Sequence, residues 1–137
     1  MGAGDEDLRD SLVQVSFAVI AVLSRVAAEQ DLSLTQLRVL GILRDRQPTM
    51  ADLASYLGLE RSTVSGLIDR AVQRGLVQKD ADPADGRSVR VSLTEPARRR
   101  ESRMIAEIGE LMAPLTDRLN TSERKRLTDL LAKVLGR

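Results

Sequence analysis

Apolar residues at Leu8, Leu12, Val15, Val19, Val22 and Val26 recur every three or four positions, which predicts a long first helix over Leu8–Glu29. Phe17, Ile20 and Leu23 widen this stripe beyond one face, so the helix needs cover from two sides, one within the chain and one from another chain. Ser33 with Gln36 three residues on is a capping-box pattern, and Leu32 and Leu37 are placed for a hydrophobic staple across it. The second helix follows Leu37, Leu40, Gly41 and Leu43 to near Arg46, where Gln47-Pro48 stops it. Thr49 caps a third helix with Asp52 in its first turn, Leu53, Ala54 and Leu57 inward, and Gly58 as the left-handed residue that ends it. A fourth helix is expected from about Glu60 to Arg74, ending at Gly75.

The period then changes. Leu76–Lys79 and Val89–Leu93 read as short strands, the second with Val89, Val91 and Leu93 on the inner face and Arg90 and Ser92 on the outer. The turn between them, residues 80–87, is built from Asp, Pro and Gly. Thr94 caps a fifth helix that tolerates Pro96 in its first turn and runs to about Leu119 on Met104, Ile108, Leu111, Met112, Leu115 and Leu119. Asn120 with Glu123 opens a sixth, whose apolar face is Leu127, Leu130, Leu131 and Val134. The fold class is therefore mainly α with a small β-wing, about six helices and two or three short strands. A single domain spans 1–137, with a winged helix-turn-helix lobe over 33–94 and a helical dimerisation region from 5–30 and 95–137. The terminal helices carry more apolar surface than one small lobe can cover, and pairing two copies about a two-fold axis would remove it from water.

Composition narrows the chemistry. Phe17 and Tyr56 are the only aromatic residues, so the core must be aliphatic. With no cysteine and no histidine, disulfides, thiol redox sensing, thiolate metal sites and histidine general bases are excluded. No metal site, cofactor or catalytic constellation is expected, and an enzyme is the weakest reading. The acidic start of the chain is not a signal peptide, and Ser11–Ala28, interrupted by Gln14 and Arg25, reads as a buried amphipathic helix. A cytoplasmic protein without a membrane partner is expected.

Charge is distributed unevenly. Residues 1–60 carry net −4, residues 61–103 net +4 and residues 104–137 net +1, so the basic part is the middle of the chain. On a helical wheel the fourth helix turns Val64, Leu67, Ile68 and Ala71 to one side and Ser62, Gly66, Asp69 and Gln73 to the other, flanked by Thr63, Ser65 and Arg70. Small polar residues let a helix backbone approach a DNA groove, where hydroxyls meet phosphates or base edges. The candidate DNA-binding residues are Arg61, Ser62, Thr63, Ser65, Gly66, Asp69 and Arg70 on this helix and Arg87 and Ser88 on the wing, where an arginine on a narrow hairpin can enter a minor groove. Asp82 and Asp85 would repel phosphate; they are read as braces that cap the turn and pair with Arg70, Arg74 or Arg87. Phe17, Leu40 and Met104 are candidate linings of an effector pocket, with plain core packing the simpler account of each. Arg98, Arg99, Arg100 and Arg103 read as solvated or intersubunit-pairing residues.

The spacing of Ala54, Gly58 and Val64 is that of helix-turn-helix units. Asp82-Pro-Ala-Asp85-Gly86-Arg87-Ser88 followed by Val89-Arg-Val-Ser-Leu93-Thr94 resembles the wing motif of the MarR family, and the similarity extends over nearly the whole chain. The resemblance implies an obligate homodimer that binds pseudo-palindromic operators in double-stranded DNA, usually as a repressor, with the fourth helix in the major groove and Arg87 in the minor. It also implies a small aromatic or phenolic effector as a candidate partner. Ala97 stands where many members have glycine, a change a helix accepts. A winged-helix protein–protein module that never touches DNA is the alternative, against which the basic middle of the chain argues.

Overall fold

A computed structural model describes residues 2–137 and contains six helices and one two-stranded antiparallel sheet: α1 (Ala3–Glu29), α2 (Leu34–Leu43), α3 (Met50–Leu57), α4 (Arg61–Gln73), β1 (Val77–Ala81), β2 (Val89–Leu93), α5 (Glu95–Thr116) and α6 (Thr121–Val134). The capping residues sit where the sequence puts them. Ser33 and Gln36 form a reciprocal capping box, as do Asn120 and Glu123, and the Thr49 hydroxyl accepts the Asp52 N–H. Gly58 closes α3 at φ 65°, a conformation that L side chains rarely adopt. The Thr94 hydroxyl accepts the Ala97 N–H and donates to the Gly75 carbonyl, so one side chain starts α5 and fixes the end of α4.

Several boundaries differ from the sequence reading, each for a visible reason. α1 begins five residues earlier, at Ala3, with Asp5 and Glu6 in its first turn facing the positive end of the helix dipole. α2 ends at Leu43 and not near Arg46, because the carbonyls beyond it are taken by distant side chains: Arg98 donates to the Arg44 carbonyl at 3.1 Å and Arg90 to the Gln47 carbonyl at 2.7 Å. α5 stops at Thr116, whose carbonyl accepts from Arg124 of α6 at 3.1 Å. β1 is shifted towards the tip, pairing Val77 with Leu93 and Ala81 with Val89. A single bridge between Thr49 and Arg90 adds a third strand position at the edge of β2.

The chain forms two compact units. The first is the chain up to Val22 together with Glu107–Arg137; the second is Leu23–Ala106. The second is wider than 33–94 because Val26 and Ala27 of α1 and Ala97, Glu101 and Met104 of α5 are buried in it. Its core is wholly aliphatic apart from Met104, built on Val26, Val39, Leu40, Leu43, Leu53, Val64, Ile68, Leu76 and Val91. The aromatic residues Phe17 and Tyr56 are both exposed. The arginine run on α5 is partly structural: Arg98 caps α2, and Arg100 bonds the carbonyl and side chain of Gln30.

In the first unit no described residue is buried. Leu8, Leu12, Val13, Val15, Phe17 and Ile20 of α1, Leu115 of α5, and Leu127, Leu130, Leu131 and Val134 of α6 are all exposed. By length and composition alone α1 could cross a membrane.

Candidate nucleic-acid interface

The four apolar wheel positions of α4, Val64, Leu67, Ile68 and Ala71, are buried, and this fixes the helix's rotation. Arg61, Ser62, Thr63, Ser65, Asp69 and Arg70 are therefore exposed, with Gly66 partly so. Glu60 occupies the N-cap position but makes no side-chain cap bond, so the first-turn N–H groups face outward without a side-chain acceptor from their own cap. Asp69 is not free: it accepts from Lys79 of β1 at 2.7 Å, tying the outer face of α4 to the root of the wing. The Arg70 guanidinium folds back over Gly66, 3.5 Å from where a β-carbon would stand.

At the wing tip the two aspartates shape the turn. Asp82 Oδ1 accepts the Ala84 N–H and Asp85 Oδ1 the Arg87 N–H, both at 3.0 Å. Ser88 uses its backbone on both sides, accepting from Asp82 and donating to Asp85. Arg87 is almost wholly exposed and reaches only Asp85, at 3.5 Å.

The brace on this turn is Arg90, which the sequence reading placed on the solvent face. Its Nε lies 3.1 Å from Asp82 Oδ1, and its Nη1 donates to the Gln47 carbonyl. The Val91 N–H donates to the Pro48 carbonyl beside it. Asp82 is 8% exposed, and the Ala84 N–H, then the Arg90 guanidinium, hold its carboxyl below the usual carboxylate range against the opposing effect of burial. Arg74 is not a brace; its guanidinium points to Gln36 and Asp31 instead. Neither is Arg70. The signal that could have found Arg90 is its place in the strand register, opposite Asp80 and close to Asp82. The strict alternation expected of β2 also fails: Val89 is exposed and Ser92 buried, since the tip stands free while the root is covered on both faces.

Of the candidate effector linings, Leu40 and Met104 are 0% and 1% exposed and serve the core of the second unit, whereas Phe17 is 69% exposed in the first. Neither Leu40 nor Met104 presents a face to a ligand.

One buried acid bears on stability. Glu101 is 3% exposed with Arg44 at 3.9 Å, and burial pushes its carboxyl above the usual range, an effect opposed by Arg44 and Arg98 and reinforced by Asp45. The folded state thus binds a proton more readily than the unfolded chain, so this group costs stability at neutral pH and the cost disappears as pH falls. Glu101→Gln is expected to be at least as stable as the parent at neutral pH, with the difference closing in mild acid, as read by urea unfolding across that range.

Comparison with known proteins places this geometry. A profile of the MarR family matches residues 30–88. The HTH-type transcriptional repressor NicR of Pseudomonas putida is 31% identical over 116 residues, 84% of this chain and 73% of that one. The chain belongs to the MarR family. Two solved structures share the fold. A MarR mutant from E. coli complexed with operator DNA superposes with a TM-score of 0.75 at 25% identity, covering 98% of this chain and 99% of that one. CouR from Rhodococcus jostii, bound to p-coumaroyl-CoA, gives 0.82 at 22% identity over 98% and 95%. In MarR-family terms α3 and α4 are the helix-turn-helix and β1–β2 the wing.

Proposed function

We propose that this MarR-family chain is a dimeric, sequence-specific DNA-binding transcriptional regulator that represses from a pseudo-palindromic operator. The observation that carries the reading is the outer surface of α4: small polar residues around a helix start without a side-chain cap, beside a wing whose tip arginine is almost wholly exposed. Ser62, Thr63, Ser65 and Gly66 let the helix enter the major groove, Arg61 and Arg70 meet phosphates or base edges, and Arg87, next to Ser88, enters the minor groove. Asp69 holds the wing root through Lys79 and reads bases only secondarily. NicR is by name a repressor, and the MarR complex was crystallised with operator DNA, which support the same assignment.

A second copy of the chain covers the first unit. Its exposed apolar residues lie on α1, on the end of α5 and on α6. Release by a small effector, aromatic or phenolic, belongs to this reading; CouR is a family fold bound to p-coumaroyl-CoA. Such a site would have to use residues other than Leu40 and Met104.

A gel shift with the DNA upstream of its own gene tests the proposal. Arg87→Ala should weaken binding by about 1–3 kcal/mol, and removing a phosphate-contacting arginine such as Arg61 should lower the salt slope by about one. No shift at low salt would overturn it. Gly66→Ala separates function from fold: it removes a helix-interior glycine without a clash, so stability should rise by up to about 1 kcal/mol while the added methyl weakens DNA binding.

A further inference from the structure

A pocket of about 280 Å³ opens where α2 ends, lined by Leu43, Arg44, Asp45, Arg46, Gln47 and Arg98. Three arginines are among its lining residues, and few of their donors make short hydrogen bonds. Arg98 uses Nη1 for the Arg44 carbonyl; Arg44 reaches Glu101 only at 3.9 Å and Arg46 reaches Asp45 only at 4.0 Å. The Arg46 guanidinium lies 5.2 Å from the centre of the Tyr56 ring. Each guanidinium offers five N–H groups in a planar fork suited to an oxyanion. Two carboxyls stand nearby. Arg46 faces Asp45 at 4.0 Å and Arg44 faces Glu101 at 3.9 Å, so three guanidiniums stand against two carboxyls and the local charge is net positive.

The pocket is joined to the wing. Gln47, one of its walls, gives its carbonyl to Arg90, and the same guanidinium holds Asp82 at the base of the wing turn. Any movement of residues 44–47 therefore reaches the one arginine that braces the hairpin carrying Arg87.

We infer that this pocket is a binding site for a small oxyanion, carboxylate or phosphate, and that its occupancy alters the wing through Gln47, Arg90 and Asp82. The coupling to DNA rests on the regulator reading above; the binding site does not. The ligand contacts are the guanidiniums of Arg44, Arg46 and Arg98, with Leu43 as the apolar floor.

The full chain is titrated calorimetrically with malonate and, separately, with inorganic phosphate, at ionic strength held constant with sodium chloride. Saturable binding of one or both is expected, and which of them binds identifies the head group. Arg46→Gln and Arg98→Gln should each weaken it at least about tenfold. Arg98→Lys, which keeps the charge and loses the fork, should fall between parent and Arg98→Gln; it also controls for the loss of the α2 cap. Arg90→Gln should still bind the anion saturably, within about threefold of the parent, because coupling to the wing is reciprocal. Gel shifts at matched ionic strength should show DNA affinity reduced at least about threefold by the saturating anion in the parent, and no such change in Arg90→Gln.

Absence of saturable binding, or binding unaffected in both Arg46→Gln and Arg98→Gln, overturns the site. An anion effect on DNA affinity that persists in Arg90→Gln overturns the route to the wing. A loss of one unit of salt slope in Arg46→Gln without any anion binding would assign these arginines to the DNA backbone, and also overturns the site. If the chain binds no DNA at all, the regulator reading fails while the titration still decides the pocket.

Discussion

Placing two charges on α6, Leu127→Glu with Leu131→Glu, is expected to turn the protein into a monomer and to lower operator affinity by about 10²–10⁴-fold. Both side chains are exposed in the single chain, so nothing in the lobe should feel the change. The reason for the large effect is thermodynamic. The basic surface of one lobe is modest, and tight binding depends on two lobes held at a fixed spacing, so that the second contact is intramolecular. Sedimentation and a gel shift on the same samples check it. A variant that stays dimeric, or a monomer that binds as tightly as the parent, contradicts the assignment of this face.

The second large effect is on stability. Leu40→Ala should destabilise the lobe by about 2–5 kcal/mol, read as a lower urea midpoint with an unchanged slope. Leu40 is fully buried in a core without aromatic residues, so the cavity is surrounded by aliphatic side chains already in their own contacts. The result also bears on effector binding. A leucine lining an open pocket leaves no new void when truncated and would cost only its lost transfer energy, about 1.5–3 kcal/mol at most. A value above that range agrees with a packed core.

The legible parts of this chain are those fixed by neighbours within a few residues. Capping boxes at Ser33 and Asn120, the left-handed Gly58 and the buried face of α4 all depend on spacings of three or four, which the sequence displays directly. The outward set on α4 follows from the same wheel. Contacts between distant residues were not legible. Arg98 and the Arg44 carbonyl lie 54 residues apart and, with Arg90 on Gln47, decide where α2 stops and how the wing is held, while Arg100 and Gln30, 70 apart, tie α5 to the end of α1. Alternation places Arg90 on the solvent face because it assumes one covered face along a whole strand. In β2 the cover changes along its length, from none at Val89 to both faces at Ser92 and Leu93. The wheel angle of Asp69 shows that it faces outward, but not that Lys79, ten residues on, is brought beside it by the hairpin.

The absence of any buried residue among those described in the first unit has a consequence for how such a regulator is dosed in a cell. A segment with no fully buried residue gains most of its apolar burial by association, so its folding free energy contains the logarithm of chain concentration. Its melting temperature, its resistance to proteolysis and its DNA affinity would then all fall together on dilution. Abundance itself would become an input: at low copy number the protein is not a weaker regulator but a different species, with folded lobes on unfastened helices.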